Sequence, residues 1–181
     1  MVEARMLFLL KKGRVSVPFI YQLDEQGILM EYIRGPSLLE YLVWQEKMQF
    51  YVGWDTIEPA VYANGMLCRW LKTFYDTVYD LTGKKIILGE INFRNFILRD
   101  SIYGIDFEDC REGEKEEDVG RICAFALTNN PPFTPWKYSF VDYILNIFVE
   151  GLSLDRELVN KYFLRELASI HKARGTKQWS R

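Results

Sequence analysis

The sequence predicts an α+β fold, a mostly helical single domain that carries small antiparallel hairpins. Three observations lead there. Long segments place apolar residues at helical spacing, most clearly Ala60, Val61, Met66, Leu67, Trp70, Leu71, Phe74, Tyr75 and Val78. Shorter apolar runs come in pairs around polar turns, the pattern of hairpins. The 181 residues contain no internal repeat, low-complexity tract or interdomain linker. One domain is therefore expected, burying about 70% of the surface its unfolded chain exposes.

The elements follow in order. Glu3 to Lys12 reads as a helix that stops at Gly13, with lysines in its last turn, where the helix dipole favours cations. Val15 to Tyr21 and Gly27 to Ile33 flank Asp24-Glu25-Gln26-Gly27 as a first hairpin. Gly35-Pro36-Ser37 breaks the chain, and Ser37 with Glu40 makes a capping box for a helix through Leu38, Leu39, Leu42 and Val43. The long helix spans about Thr56 to Leu81 and stops at Thr82-Gly83. Lys85 to Leu88 is short and apolar. Phe96 to Leu98 and Ile102 to Ile105 flank Arg99-Asp100-Ser101 as a second hairpin, which sets Asp106 just past a strand. The charged run Arg111 to Glu117 reads as a loop before a buried helix, Ile122 to Leu127, which Asn129-Asn130-Pro131-Pro132 ends. Helices at about Phe140 to Glu150 and Asp155 to Lys172 complete the chain, and residues 173–181 are expected to fray.

Composition narrows the function. With 25 acidic residues against 23 basic ones, charge is nearly balanced, and nothing points to nucleic acid or to an anionic membrane surface. Cys68, Cys110 and Cys123 are far apart and lack a CxxC, which favours reduced thiols over disulfides or a zinc site. His171 is the single histidine, so multi-histidine metal sites and nearly every Ser-His or Cys-His scheme fall away. No apolar run reaches about 18 residues, and the first ten residues are too short for a signal peptide. A soluble cytoplasmic protein, with neither nucleic acid nor membrane as partner, is the expectation.

Most of the chemistry lies in Leu88-Gly89-Glu90-Ile91-Asn92-Phe93-Arg94-Asn95 and in Ile105-Asp106-Phe107-Glu108. A carboxylate, an amide five residues later and a second carboxylate past a short hairpin stand in the order of a kinase catalytic loop and metal site. The chain resembles the aminoglycoside-phosphotransferase branch of the protein-kinase-like superfamily, which includes the Kdo-kinase and RIO-type small kinases. Ile28-Leu29-Met30-Glu31-Tyr32-Ile33-Arg34-Gly35 resembles the strand and hinge that meet the adenine edge. Arg69-Trp70-Leu71-Lys72-Thr73-Phe74-Tyr75 resembles the helix supporting the catalytic loop. Gly89 to Leu98 resembles that loop, and Gly104 to Asp109 the metal segment. Asp118-Val119-Gly120-Arg121 resembles the start of the next helix, whose Asp braces the loop in the family. The likeness covers roughly residues 3 to 130.

The resemblance implies a single kinase-like domain. Residues 1–34 would be a remnant of the small lobe and hinge, and residues 35–172 a helical large lobe. It also implies ATP and Mg²⁺ as cofactors. Glu90 would orient the acceptor hydroxyl, Asn95 and Asp106 would hold metal, Met30, Glu31 and Ile33 would border the nucleotide, and Asp118 would brace the loop. The acceptor has no readable code, and a protein partner is one option.

Departures from the family pattern matter as much. Glu90 stands where the family has Asp, and Leu88 where it has His. The extra methylene moves the carboxylate by over an ångström, and a misplacement of that order costs about 10²-fold in rate. Glu3 stands where the family has its helix Glu, but only Met1 and Val2 precede it, which leaves no room for a Gly-rich loop or phosphate-pairing lysine. Gly13, Gly27 and Gly35 are spaced as turns. Much of the electrostatic stabilisation of phosphoryl transfer would then be missing.

Each residue also has a plain structural reading. Asn95 and Asp106 could be a turn amide and a strand-ending acid. Glu108 or Asp109 could add a metal ligand or simply be solvated. Glu90 could be a base or a polar residue holding the loop, and Asp118 a helix N-cap or a brace. Met30 to Ile33 could be a core hairpin. Glu112 to Asp118 could be a solvated loop or could face a cationic partner. Trp70, Phe74 and Tyr75 read as core. The leading expectation is a kinase-like protein with weak nucleotide and Mg²⁺ binding and reduced or lost phosphoryl transfer. Its rivals are an active ATP-dependent kinase using Glu90, with a small lobe completed elsewhere, and a non-enzymatic scaffold.

Overall fold

The computed structural model describes residues 2–52 and 58–178. The fold is α+β, with six helices and three two-stranded antiparallel sheets among the described residues. Helix α1 (Val2–Lys12) ends at Gly13, whose N–H donates to the Leu9 carbonyl at 3.1 Å. The first hairpin, β1 (Ile20–Asp24) and β2 (Gly27–Met30), turns where expected, with Asp24 Oδ1 accepting from the N–H groups of Gln26 (2.8 Å) and Gly27 (3.2 Å). It is shorter than the apolar runs suggest. Val15 and Val17 are buried in the core without strand partners, because β2 ends at Met30 and Pro18 has no N–H to give a ladder.

The capping box closes as the sequence predicts. Ser37 N–H donates to Glu40 Oε2 (2.7 Å), and Glu40 N–H donates to Ser37 Oγ (3.2 Å), opening α2 (Leu38–Val52). The long helix is α3 (Glu58–Thr82). Thr56, where the spacing starts that helix, lies outside the described residues, as do the side chains of Ala60 and Val61. Strand β3 (Ile86–Ile87) follows, then the second hairpin, β4 (Phe96–Leu98) and β5 (Ile102–Gly104), with Phe96 opposite Gly104.

Three expected boundaries move. The charged run is not all loop: Arg111–Glu112 forms β6, paired with β3, and α4 (Lys115–Thr128) starts about two turns before Ile122. Glu116, Glu117 and Asp118 lie in the first turn of α4, where the helix dipole favours acids, so a stretch that reads as solvated coil is a good helix start. Helix α5 (Pro135–Leu152) begins five residues before Phe140. Thr134 caps it by accepting the Lys137 N–H (3.3 Å), with proline at the first position. Helix α6 (Arg156–Gln178) opens under an Asp155 cap and runs past Lys172, so residues 173–178 are helical where fraying is expected. Residues 179–181 lie outside the described residues.

One apolar core links these elements. Phe74 and Trp70 of α3 stack at 5.6 Å between ring centroids. Phe107 lies nearly parallel to both, at 6.4 and 6.3 Å, and Trp70 meets Phe96 of β4 edge-on at 5.3 Å. Phe74, Phe96 and Phe107 are fully buried, so the residue after Asp106 is anchored in the centre of the molecule. Helix α6 lies close against α4 at Gly120, where a Cβ would come within 2.7 Å of the Phe163 nitrogen. A buried ion pair joins α2 to α5: Lys137 Nζ reaches Glu46 Oε2 (2.7 Å) and the Pro131 carbonyl (2.6 Å).

Candidate functional site

Gly89 turns the chain into the loop that carries the conspicuous residues. Its φ is +79°, and a Cβ there would stand 2.3 Å from the Asp109 carbonyl oxygen, so any other residue would push the two backbones apart. Helix α4 holds this turn from behind. The buried Asp118 accepts from Leu88 N–H (Oδ2, 2.8 Å), Gly89 N–H (Oδ1, 3.1 Å) and the Tyr75 hydroxyl (Oδ2, 2.9 Å). One turn further, Arg121 donates to the Gly89 carbonyl oxygen. Arg121 is itself placed by Glu117 (3.4 Å) and by Glu166 of α6 (3.6 Å). Three backbone polar groups of two residues thus end on α4 side chains. Burial pushes the Asp118 carboxyl up to about 6, against the hydrogen bonds from Leu88, Tyr75 and Gly89 that pull it down.

Beyond the turn the loop is organised by Asn92. Its Oδ1 accepts the Arg94 N–H (2.8 Å) and its carbonyl accepts the Asn95 N–H (3.2 Å), closing a single 3₁₀ turn, Phe93–Asn95. Phe93 is buried in this turn, against Phe125 and Phe140. The Asn95 carbonyl then accepts the Ile105 N–H at 2.9 Å, which ties the end of the loop to the end of β5. That backbone bond brings the two candidate metal ligands together. Asn95 Nδ2 lies 3.5 Å from Asp106 Oδ2 and 3.4 Å from the Glu90 carbonyl oxygen. Asp106 is exposed with φ of +66°, a left-handed conformation that aspartate tolerates, and Phe107 next to it is buried. Glu90 is exposed, and its carboxylate has no hydrogen-bond or ion-pair partner among the described residues.

The surroundings are acidic. Burial, and then the Asp106 charge, raise the carboxyl of Glu3 on α1 above its ordinary value; Glu108 adds to this, while backbone N–H groups of Phe107 and Asp106 oppose it. Burial pushes the Cys110 thiol up to about 12, helped by Asp118, Asp109, Asp106 and Glu3. The acids around that thiol make a negative field at the loop. Glu108 and Asp109 are both exposed beside Asp106 in the chain. No three His, Cys, Asp or Glu side chains form a cation cage among the described residues. What the fold brings together is one carboxylate and one carboxamide.

The hairpin residues make contacts of their own. Glu31 closes the base of the hairpin, its N–H donating to the Phe19 carbonyl (2.7 Å) and its Oε2 accepting the Phe19 N–H (3.1 Å). Ile33 is buried and Met30 half-buried against the core, while Tyr32 is exposed. No hydrogen bond among the described residues joins Met30, Glu31 or Ile33 to Asn95 or Asp106. Two residues of the loop's support lie in segments that the resemblance singles out, but their own roles there are not legible in the sequence. Tyr75 reads as core, and is core, yet its hydroxyl is spent on Asp118. Arg121 stands three residues after Asp118, hence on the same helix face, and that spacing was the available clue.

The protein was compared with known families and proteins: no family model matches the chain, and no curated protein matches it. No helix among the described residues is long and apolar enough to cross a membrane.

Proposed function

We propose that this chain is a kinase-like protein that holds Mg²⁺ and nucleotide weakly and transfers phosphoryl groups poorly or not at all. One observation carries the reading: the Asn95 carboxamide and the Asp106 carboxylate lie side by side, 3.5 Å apart, on a loop whose backbone is braced from behind by Asp118. Turned over, the carboxamide offers Oδ1, and the pair becomes two hard oxygen donors of the kind Mg²⁺ takes alongside substrate phosphates. The donor set fits Mg²⁺, and its negative surroundings favour a cation. Bound there, Mg²⁺ would neutralise phosphate charge; the residues themselves would position it.

The same surroundings argue against efficient transfer. Asp106, Glu108 and Glu3 cluster with no cation paired to them among the described residues, and naked phosphates would meet repulsion there. Met30, Glu31 and Ile33 would border the nucleotide base. Glu90, exposed at the mouth of the loop, would face the acceptor.

Thermal melts with Mg²⁺ and ATP test this. Ligand at about ten times its dissociation constant adds roughly 1.4 kcal/mol, a rise of a few degrees. Asp106→Asn, which tolerates the left-handed backbone, should remove the Mg²⁺-dependent part. A flat melt at about 5 mM nucleotide and metal would refute nucleotide binding and favour a scaffold.

A further inference from the structure

A second cavity, lined by other residues, opens between the loop after α1, one side of α3 and the β4–β5 turn. It has a volume of about 320 Å³, and Arg14, Ser16, Arg69, Thr73, Asp100 and Ser101 supply its polar lining. Its walls are tied together. The Ser16 carbonyl accepts both the Trp70 indole N–H (3.0 Å) and the Gly104 N–H (3.1 Å), and Ser101 Oγ donates to Ser16 Oγ (3.4 Å). Arg14 has φ of +60° and is held there by its N–H donating to the Lys11 carbonyl (3.0 Å). This is the left-handed cap that closes α1, completed by the Val15 N–H donating to the Leu10 carbonyl (2.9 Å), and it fixes where the Arg14 side chain leaves the backbone.

The charge is what needs explaining. Arg14 and Arg69 come from different elements, and no carboxylate lies within ion-pair distance of either among the described residues. Asp100, the one acid in the lining, faces Arg99 at 3.7 Å. Two guanidinium groups with unspent donors thus border one cavity in a chain whose net charge is −2. The Ser16 and Ser101 hydroxyls, 3.4 Å apart, can each turn to donate or accept. Trp70 and Met66 add apolar lining.

We propose that this cavity binds a small soluble phosphomonoester. A phosphate dianion has several oxygens to offer to guanidinium forks, which is the match arginine makes best. The volume is at the lower end for ligand pockets, enough for a phosphate and a body of a few carbons. The apolar lining suits that body.

Amide NMR shifts during titration test it, with glycerol 3-phosphate and inorganic phosphate as probes, and glycerol and chloride as controls at matched ionic strength. Saturable shifts at Arg14 to Ser16, Arg69 and Ser101 are expected, tighter for glycerol 3-phosphate than for inorganic phosphate and absent with the controls. Arg69→Gln and Arg14→Asn should each weaken binding about 10-fold or more, the scale of a hydrogen bond to a charged group. Both residues are exposed, and Asn tolerates the Arg14 backbone, so both variants should melt like the parent. Shifts that do not saturate, that chloride reproduces, or that survive both substitutions would overturn the proposal. So would binding to vesicles containing phosphatidic acid with no response to glycerol 3-phosphate, which would assign the arginines to a lipid headgroup.

Discussion

Replacing Asp118 with alanine has two opposed effects, and pH separates them. The substitution strands three buried donors, the N–H groups of Leu88 and Gly89 and the hydroxyl of Tyr75. At between about 1 and 3 kcal/mol for each unsatisfied group, the total lies between about 3 and 9 kcal/mol, and about 5 kcal/mol, in the lower half, serves for the comparison. Against this, alanine removes a carboxylate that burial holds at about 6 instead of 3.8. That difference is worth about 3 kcal/mol of lost stability at neutral pH. The sign follows from proton binding. Folded Asp118 keeps its proton where the unfolded chain has released it, so the stability it contributes is complete below the unfolded value and is lost as pH rises through about 6. Asp118→Ala should therefore cost about 2 kcal/mol at pH 7.5 and about 4 kcal/mol at pH 4.5, because only at the higher pH does the substitution relieve the full penalty. Urea unfolding of parent and variant at both pH values measures this directly, since the other titrating groups are common to both proteins and cancel in the difference. Hydrogen exchange at Leu88 and Gly89 should quicken in the variant. A cost that is equal at the two pH values, or larger at pH 7.5, would refute the assignment of a strained, buried carboxylate behind the loop.

Phe74→Ala should cost about 3–5 kcal/mol, because a fully buried ring stacked on Trp70 and Phe107 cannot be replaced by relaxation alone; a melt within a degree of the parent would exclude this packing. Lys137→Ala strands the buried Glu46 carboxylate and should cost about 3–5 kcal/mol, whereas Lys137→Met with Glu46→Leu should cost less than the single change. Chemical denaturation of the three proteins checks the order. For chemistry, ADP release from the parent, Glu90→Asp and Glu90→Ala should all match an Asp106→Asn blank. Turnover above the blank that collapses in Glu90→Ala would establish an active phosphotransferase.

Local elements were legible in the sequence wherever the signal was local. The Ser37–Glu40 box, the Asp24–Gly27 turn and the tight hairpin around Arg99-Asp100-Ser101 need only a few neighbouring residues, and all form as read. The order Glu90, Asn95, Asp106 was equally plain, but order alone does not make a site. The Asn95 carbonyl to Ile105 N–H bond decides that Asn95 meets Asp106, and a bond between residues ten positions apart, across a hairpin, has no local signature. The start of α4 was misread because a run of charges looks the same in coil and on a helix whose acids answer its dipole. The pairing of β6 with β3, the salt link of Glu46 to Lys137 and the grip of Arg121 on Gly89 join residues 24 to 26, 91 and 32 positions apart. Side-chain chemistry states what each residue can offer, and the residue types and short spacings determine the turns, caps and helical faces. Which donor finds which acceptor across the chain depends on how the helices pack, and only the tertiary structure decides it.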